Sequence, residues 1–165
     1  MNLQIRPATP TDVPAIFRFI NELAQYEREP HAVVATEAMI EHSLFAEGHV
    51  AHGLIATVDG MPMGFAIYFF NFSTWLGRPG LYLEDLYVTP ASRGSGVGRA
   101  LLTHLARVAM ERGCGRMEWS VLDWNQPAID FYRALGAKPM DEWTVYRLAG
   151  KTLEDVAAMA TLPAA

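Results

Sequence analysis

Two adjacent carboxylates, Glu84 and Asp85, stand in the apolar run Leu83-Glu84-Asp85-Leu86-Tyr87-Val88, and the alternating glycines of Arg93-Gly94-Ser95-Gly96-Val97-Gly98-Arg99 follow shortly behind. A strand that carries acids and runs through a glycine-rich turn into a helix sets an acid–base site beside an anion receptor. Consecutive backbone N–H groups in such a turn, together with the positive end of the following helix, receive phosphate. The segment points to a phosphorylated cofactor next to a group that moves protons.

The glycine spacing narrows the cofactor. A dinucleotide fingerprint needs glycine at its first, third and sixth positions, and counting from Gly94 the sixth is Arg99. Glu118, about 20 residues beyond the turn, stands where a ribose-binding acid would sit. It falls inside the expected strand Met117-Glu118-Trp119-Ser120-Val121, however, rather than at its end. No Gly-Lys-Ser or Gly-Lys-Thr occurs, so no lysine is supplied to β- and γ-phosphates. What remains is an arginine followed by alternating glycines, a run that also fits a flexible strand-to-helix turn. A Cβ at Gly94, Gly96 or Gly98 would obstruct the approach of an anion or restrict φ.

The elements that must hold these groups follow from periodicity. Val97, Leu101, Leu102, Leu105, Val108 and Ala109 recur at helical spacing, giving the helix behind the glycines one apolar face. A strand is expected near 3–6, then a helix signalled by Ala8-Thr9-Pro10-Thr11-Asp12, running through Ile16, Phe17, Ile20 and Leu23 and stopped by Pro30. A second helix is expected over 37–45, with strands over 51–58, 64–72 and 82–88 and a turn at Asp59-Gly60. Beyond the helix at 97–111 come a strand over 116–121, a helix over 125–135 capped by Gly136, a last strand over 143–148, and a short helix in the tail 150–165. At 165 residues, 51% hydrophobic and 19% charged, the chain is expected to form one domain, 1–165, of mixed α/β (α+β) class.

The arginine-led loop Arg93-Gly94-Ser95-Gly96-Val97-Gly98 resembles the acyl-CoA pyrophosphate loop of the GNAT N-acetyltransferases, Arg/Gln-x-x-Gly-x-Gly/Ala. The resemblance covers nearly the whole chain and sharpens toward the diamine (spermidine/spermine-type) branch at Ile5-Arg6-Pro7-Ala8-Thr9, Leu23-Ala24-Gln25-Tyr26-Glu27, Trp75-Leu76-Gly77 through Leu81-Tyr82-Leu83-Glu84-Asp85, and Trp124-Asn125-Gln126-Pro127-Ala128-Ile129-Asp130-Phe131-Tyr132. It implies a mostly antiparallel mixed sheet with helices on both faces and a β-α-β core that binds acetyl-CoA. It also implies direct transfer of acetyl to a primary amine of a small diamine, polyamine-like or thialysine-like substrate by a homodimer.

The implied roles agree with elementary chemistry. An alkylammonium with a pKa near 10.4 must lose a proton before it attacks a thioester, and a carboxylate can take it directly or through a water. The resemblance makes Glu84 that base and an amine ligand, with Asp85 holding a second ammonium or orienting the site; adjacent on a strand, the two should point to opposite faces unless a bulge intervenes. Tyr132, protonated at neutral pH, is the implied donor to the departing thiolate. Backbone groups of Leu86, Tyr87 and Val88 would align the pantetheine, and Arg93–Arg99 the pyrophosphate. Asn125 would cap a helix and meet the cofactor beside Pro127 and Ala128, while Tyr26 and Glu27 would line the amine pocket. One departure is Thr144, which aligns where the diamine enzymes carry an acid ahead of Tyr146-Arg147; Asp141 and Glu142 lie close by.

The remaining features mostly exclude. A net charge of −5 and a pI near 5.5 argue against nucleic acid as main partner and favour a cationic small substrate. Neither a signal-peptide core nor a run of about 18 apolar residues is present, so a cytoplasmic location without membrane attachment is the default expectation. Cys114, the single cysteine, reads as structural. His49 and His52 should project from opposite faces of a strand start, and His31, His42 and His104 lack ligand companions, so no metal is expected. Two other readings stay open: a non-catalytic acyl-CoA-binding regulator and a nucleotide-dependent oxidoreductase.

Overall fold

In the computed structural model, which describes residues 2–160, the first unit of the chain extends to residue 122 and holds β1 (Leu3–Pro7), α1 (Val13–Tyr26), α2 (Glu37–Phe45), β2 (His52–Val58), β3 (Met61–Ser73), β4 (Arg78–Val88), α3 (Val97–Glu111) and β5 (Arg116–Trp119). The strands form one sheet in the order β1-β2-β3-β4-β5. Pairing is antiparallel up to β4, and β5 is parallel to β4 with α3 as the crossover between them. The register Val58↔Met61 leaves Asp59-Gly60 as a two-residue turn, both at positive φ, which the expected hairpin required.

Successive residues of β3 supply the two faces. Phe65 packs at 5.7 Å from Phe19 of α1, and Phe19 in turn lies 6.0 Å from Tyr87, so α1 covers that side. Gly64, one residue earlier, points the other way, where a Cβ would meet Leu101 of α3 and Val88. The stripe Val97, Leu101, Leu102, Leu105 and Ala109 is buried, as its spacing implies. Cys114 is buried too.

The start of α1 is set by one ion pair. Arg6 of β1 donates from both terminal nitrogens to Asp12, at 2.7 and 2.8 Å, and Asp12 also accepts from the backbone N–H and hydroxyl of Thr9. The Arg6 guanidinium, with the Thr9 hydrogen bonds, holds the Asp12 carboxyl down to about 2. Asp12→Ala is expected to cost about 2 kcal/mol, the sum expected for a lost cap and charged hydrogen bonds. Thermal melts at several pH values check it: the folded value lies below the unfolded one, so the wild-type advantage should be full above pH 4 and fade as pH falls toward about 2.

The second unit, from residue 123 on, holds α4 (Gln126–Ala134) and α5 (Gly150–Ala157). Asn125 caps α4 through its side-chain oxygen, and Ala137 N–H closes the helix end back onto Tyr132 C=O. The expected strand over 143–148 does not form. Alternating β-formers are present, but a strand also needs a neighbour for its backbone, and among the described residues 144–148 make no backbone hydrogen bond. Val145 and Tyr146 are 82% and 92% exposed. The tail helix ends at residue 157, and the last five residues of the expected tail segment lie outside the described residues.

Candidate active site

The strand that carries the acids is bulged at the acids. Leu83 pairs with Tyr68 and Asp85 with Ile67, so consecutive residues of β3 face residues two apart on β4 and Glu84 is the extra one. Leu83 stays on the α3 face with Tyr68, while Asp85 turns to the α1 face with Ile67 and Tyr87. Glu84, opposite to Leu83 in the pleat, is also directed to the α1 side. The bulge is the exception under which the two carboxylates were not expected to oppose each other: it cancels one step of the period-2 alternation.

The electrostatics record the convergence. Burial, then the charges of Glu84 and Glu27, raise the Asp85 carboxyl from 3.8 to about 6. Glu27, which caps the end of α1, is itself raised by burial. None of the ion pairs among the described residues involves these three acids. The cluster thus attracts a cation, and Asp85 is the member whose charge changes near pH 6.

Beside the acids, β4 outruns β5. The parallel pairing ends at Leu83↔Trp119, and among the described residues no strand pairs with 84–88 on that edge. Thr89 N–H donates to Met63 C=O on the β3 side. Strand alternation then places the backbone groups of Val88, and of Leu86 two residues before, on the open edge, and those of Tyr87 toward β3. Of the three residues expected to align a pantetheine by backbone, Leu86 and Val88 face the open edge; Tyr87 contributes a buried ring instead.

The glycine loop has the conformation its composition requires. Gly94 and Gly96 lie at φ 76° and 90°, in the region closed to most side chains, and Gly96 caps α3. A Cβ at either would meet nothing within 4 Å, so conformation and outward openness fix these glycines rather than crowding. Gly98 is different: it is helical, and its Cβ would make ordinary contact with Val88. Val97 is buried beneath the loop, the Ser95 hydroxyl donates to Ser92 C=O at 2.6 Å, and Arg99 is exposed on the first turn of α3. The N–H groups of that turn have no helical partner and face outward with the loop. A pyrophosphate above them and an extended chain along β4 fit these residues.

Arg93 is exposed as a residue, yet its side chain folds back onto the protein. Its Nε donates to Val88 C=O at 3.1 Å, and its guanidinium lies 5.0 Å from the ring centre of Tyr26 and 5.6 Å from that of Tyr87. Burial, and then Glu22 one turn before Tyr26 on α1, push the Tyr87 hydroxyl up from its ordinary value. The sequence marks neither Glu22 nor this stacking; helical spacing of Glu22 and Tyr26 was the one signal available.

In the second unit Tyr132 is a half-buried residue of α4, its ring 5.5 Å from that of Phe131, and Asn125, Pro127 and Ala128 form the capped first turn of the same helix. The histidine expectation needs correction. His49 precedes β2, so the pleat does not separate it from His52, and the two rings meet edge to face at 5.1 Å. Among the described residues no group of three His, Cys, Asp or Glu side chains is placed to hold a metal, and no helix is long and apolar enough to cross a membrane.

Comparison with known proteins agrees with this geometry. The model of the acetyltransferase (GNAT) family matches residues 16–137. The chain is 37% identical to a thialysine N-epsilon-acetyltransferase of Bos taurus, over 94% of this chain and 97% of that protein. It is 32% identical to an L-ornithine N5-acetyltransferase of Arabidopsis thaliana, over 93% and 87%. Among solved structures, an integron cassette protein from the mobile metagenome of V. cholerae superposes with a TM-score of 0.79 at 29% identity, over 95% of this chain and 98% of that one. The chain belongs to the GNAT acetyltransferase family, in its diamine-acetyltransferase-like branch. It is an N-acetyltransferase, and enzymes of this family take the acetyl group from acetyl-CoA. Neither the oxidoreductase nor the regulator reading finds support among these relatives.

Proposed function

We propose that residues 1–165 act as a single domain that transfers acetyl directly from acetyl-CoA to the primary amine of a thialysine-like or small diamine substrate, and that the protein works as a homodimer. The observation that carries this reading is the bulge at Glu84, which turns two carboxylates to one face beside Glu27. A substrate with one reacting amine and a second cation matches that set. The named substrates of the relatives, thialysine and L-ornithine, each carry a second amine.

In this mechanism Leu86 and Val88 align the pantetheine from the open edge of β4, and the N–H groups of 94–99 hold the pyrophosphate. Glu84 accepts the proton of the bound ammonium, directly or through a water, while Asp85, Glu27 and Tyr26 hold the distal cation. The freed nitrogen lone pair forms the C–N bond, the C–S bond breaks as Tyr132 gives its proton to the departing sulfur, and the extra proton on the new amide nitrogen leaves to the phenolate, directly or through water, which restores Tyr132. Asn125 holds the first turn of α4, with Pro127 and Ala128, toward the cofactor.

A thiol-release assay with acetyl-CoA over thialysine, ornithine, lysine, spermidine and peptide N-termini tests the proposal. Turnover is expected to be greatest for amines with a second cation a few bonds from the first. Tight CoA binding with no turnover of any amine would overturn the reading in favour of a non-catalytic regulator.

A further inference from the structure

We propose that Arg93 is a positioning residue that couples the amine pocket to the acyl-CoA groove; the proposal rests on the acetyl-transfer reading above. One side chain touches both halves of the site. Its Nε holds the carbonyl of Val88, whose backbone faces the open edge of β4. Its flat face spans Tyr26, at the last turn of α1 beside Glu27, and Tyr87, which follows the acids on β4. Its own backbone opens the glycine loop.

These contacts make a mechanical link. A pyrophosphate that fixes the backbone of 94–98 also fixes where the Arg93 side chain starts. Arg93 in turn fixes the Tyr26 ring and with it the wall that carries Glu27. Guanidinium geometry suits the task, because a planar group can stack on two rings while its edge donates to a carbonyl. The consequence is reciprocal: acyl-CoA tightens amine binding, and amine tightens acyl-CoA binding by the same factor. With Nε and the ring-facing surface committed to the protein, recognition of the pyrophosphate falls to the backbone N–H groups of the loop.

The test compares wild type with Arg93→Met and Arg93→Lys, using thialysine as amine and either acetyl-CoA or S-acetylpantetheine, which has no pyrophosphate, as donor. In wild type the CoA dissociation constant should fall by roughly 5- to 150-fold at saturating amine, the usual range of site coupling. In both variants this ratio should collapse toward unity, with the amine KM raised for both donors. A pyrophosphate ligand would behave otherwise. If Arg93→Met raises the KM of acetyl-CoA alone, leaves the amine KM with S-acetylpantetheine at the wild-type value, and is rescued by Arg93→Lys, the coupling is overturned. Failure of wild type to acetylate any amine would instead overturn the underlying activity.

Discussion

Tyr132→Phe is expected to lower kcat by roughly a hundredfold or more, the usual worth of a general acid, while leaving CoA affinity unchanged. Collapse of the tetrahedral species expels sulfur, and a thiolate is a far better leaving group when a proton arrives with the breaking bond. A phenol with a pKa near 10 holds that proton at neutral pH. The substitution removes only the hydroxyl. The ring stays beside Phe131, and the cap of Asn125 on Ala128 and the closing bond of Ala137 to the Tyr132 carbonyl do not involve it. The amine KM should hold, because the phenol acts at sulfur rather than at the amine. A donor with a more acidic thiol, such as an aryl thioester, needs less help at sulfur, so the deficit should shrink with it. If the deficit is the same for both donors, the phenol serves another step.

The sequence was informative where structure is local. The apolar stripe of α3, the cap at Asn125, the Asp59-Gly60 turn and the left-handed glycines of the loop each depend on a few adjacent residues, and each is found where the pattern puts it. The acids were legible as residues but not as geometry. The facing of Glu84 and Asp85 depends on the register between β3 and β4, and an inserted residue is invisible in the period of one strand. The strand expected over 143–148 fails for a related reason: propensity describes a residue's fit to a sheet and supplies no partner. His49 was misplaced because a two-residue period was extended past the start of β2. Arg93 fits the family loop pattern by type, but the two rings it stacks on come from α1 and β4. Only the folded chain brings them to one guanidinium.

Asp85→Asn should change stability and activity in opposite directions. The folded carboxyl titrates near 6 and the unfolded one near 3.8, because burial and the charges of Glu84 and Glu27 oppose its ionisation. Between these values the folded state keeps a proton that the unfolded state releases, so stability falls as pH rises through the window, and the full cost persists above it. Removing the charge should raise stability at pH 7.5 by about 1–3 kcal/mol, seen as a higher melting temperature. The gain should vanish well below the unfolded value of 3.8, where both states of the wild type are protonated. Catalysis needs the charge that the fold resists. A second ammonium restores the missing counter-charge, so kcat/KM for a dicationic amine should rise as pH passes about 6 in wild type. In Asp85→Asn that limb should be absent and the preference for dications reduced. Bound ammonium also stabilises the carboxylate, so the corresponding limb in kcat should lie at lower pH than in kcat/KM. An acid kept only for the fold would show neither limb, and its replacement would not trade a gain in stability for a loss of dication selectivity.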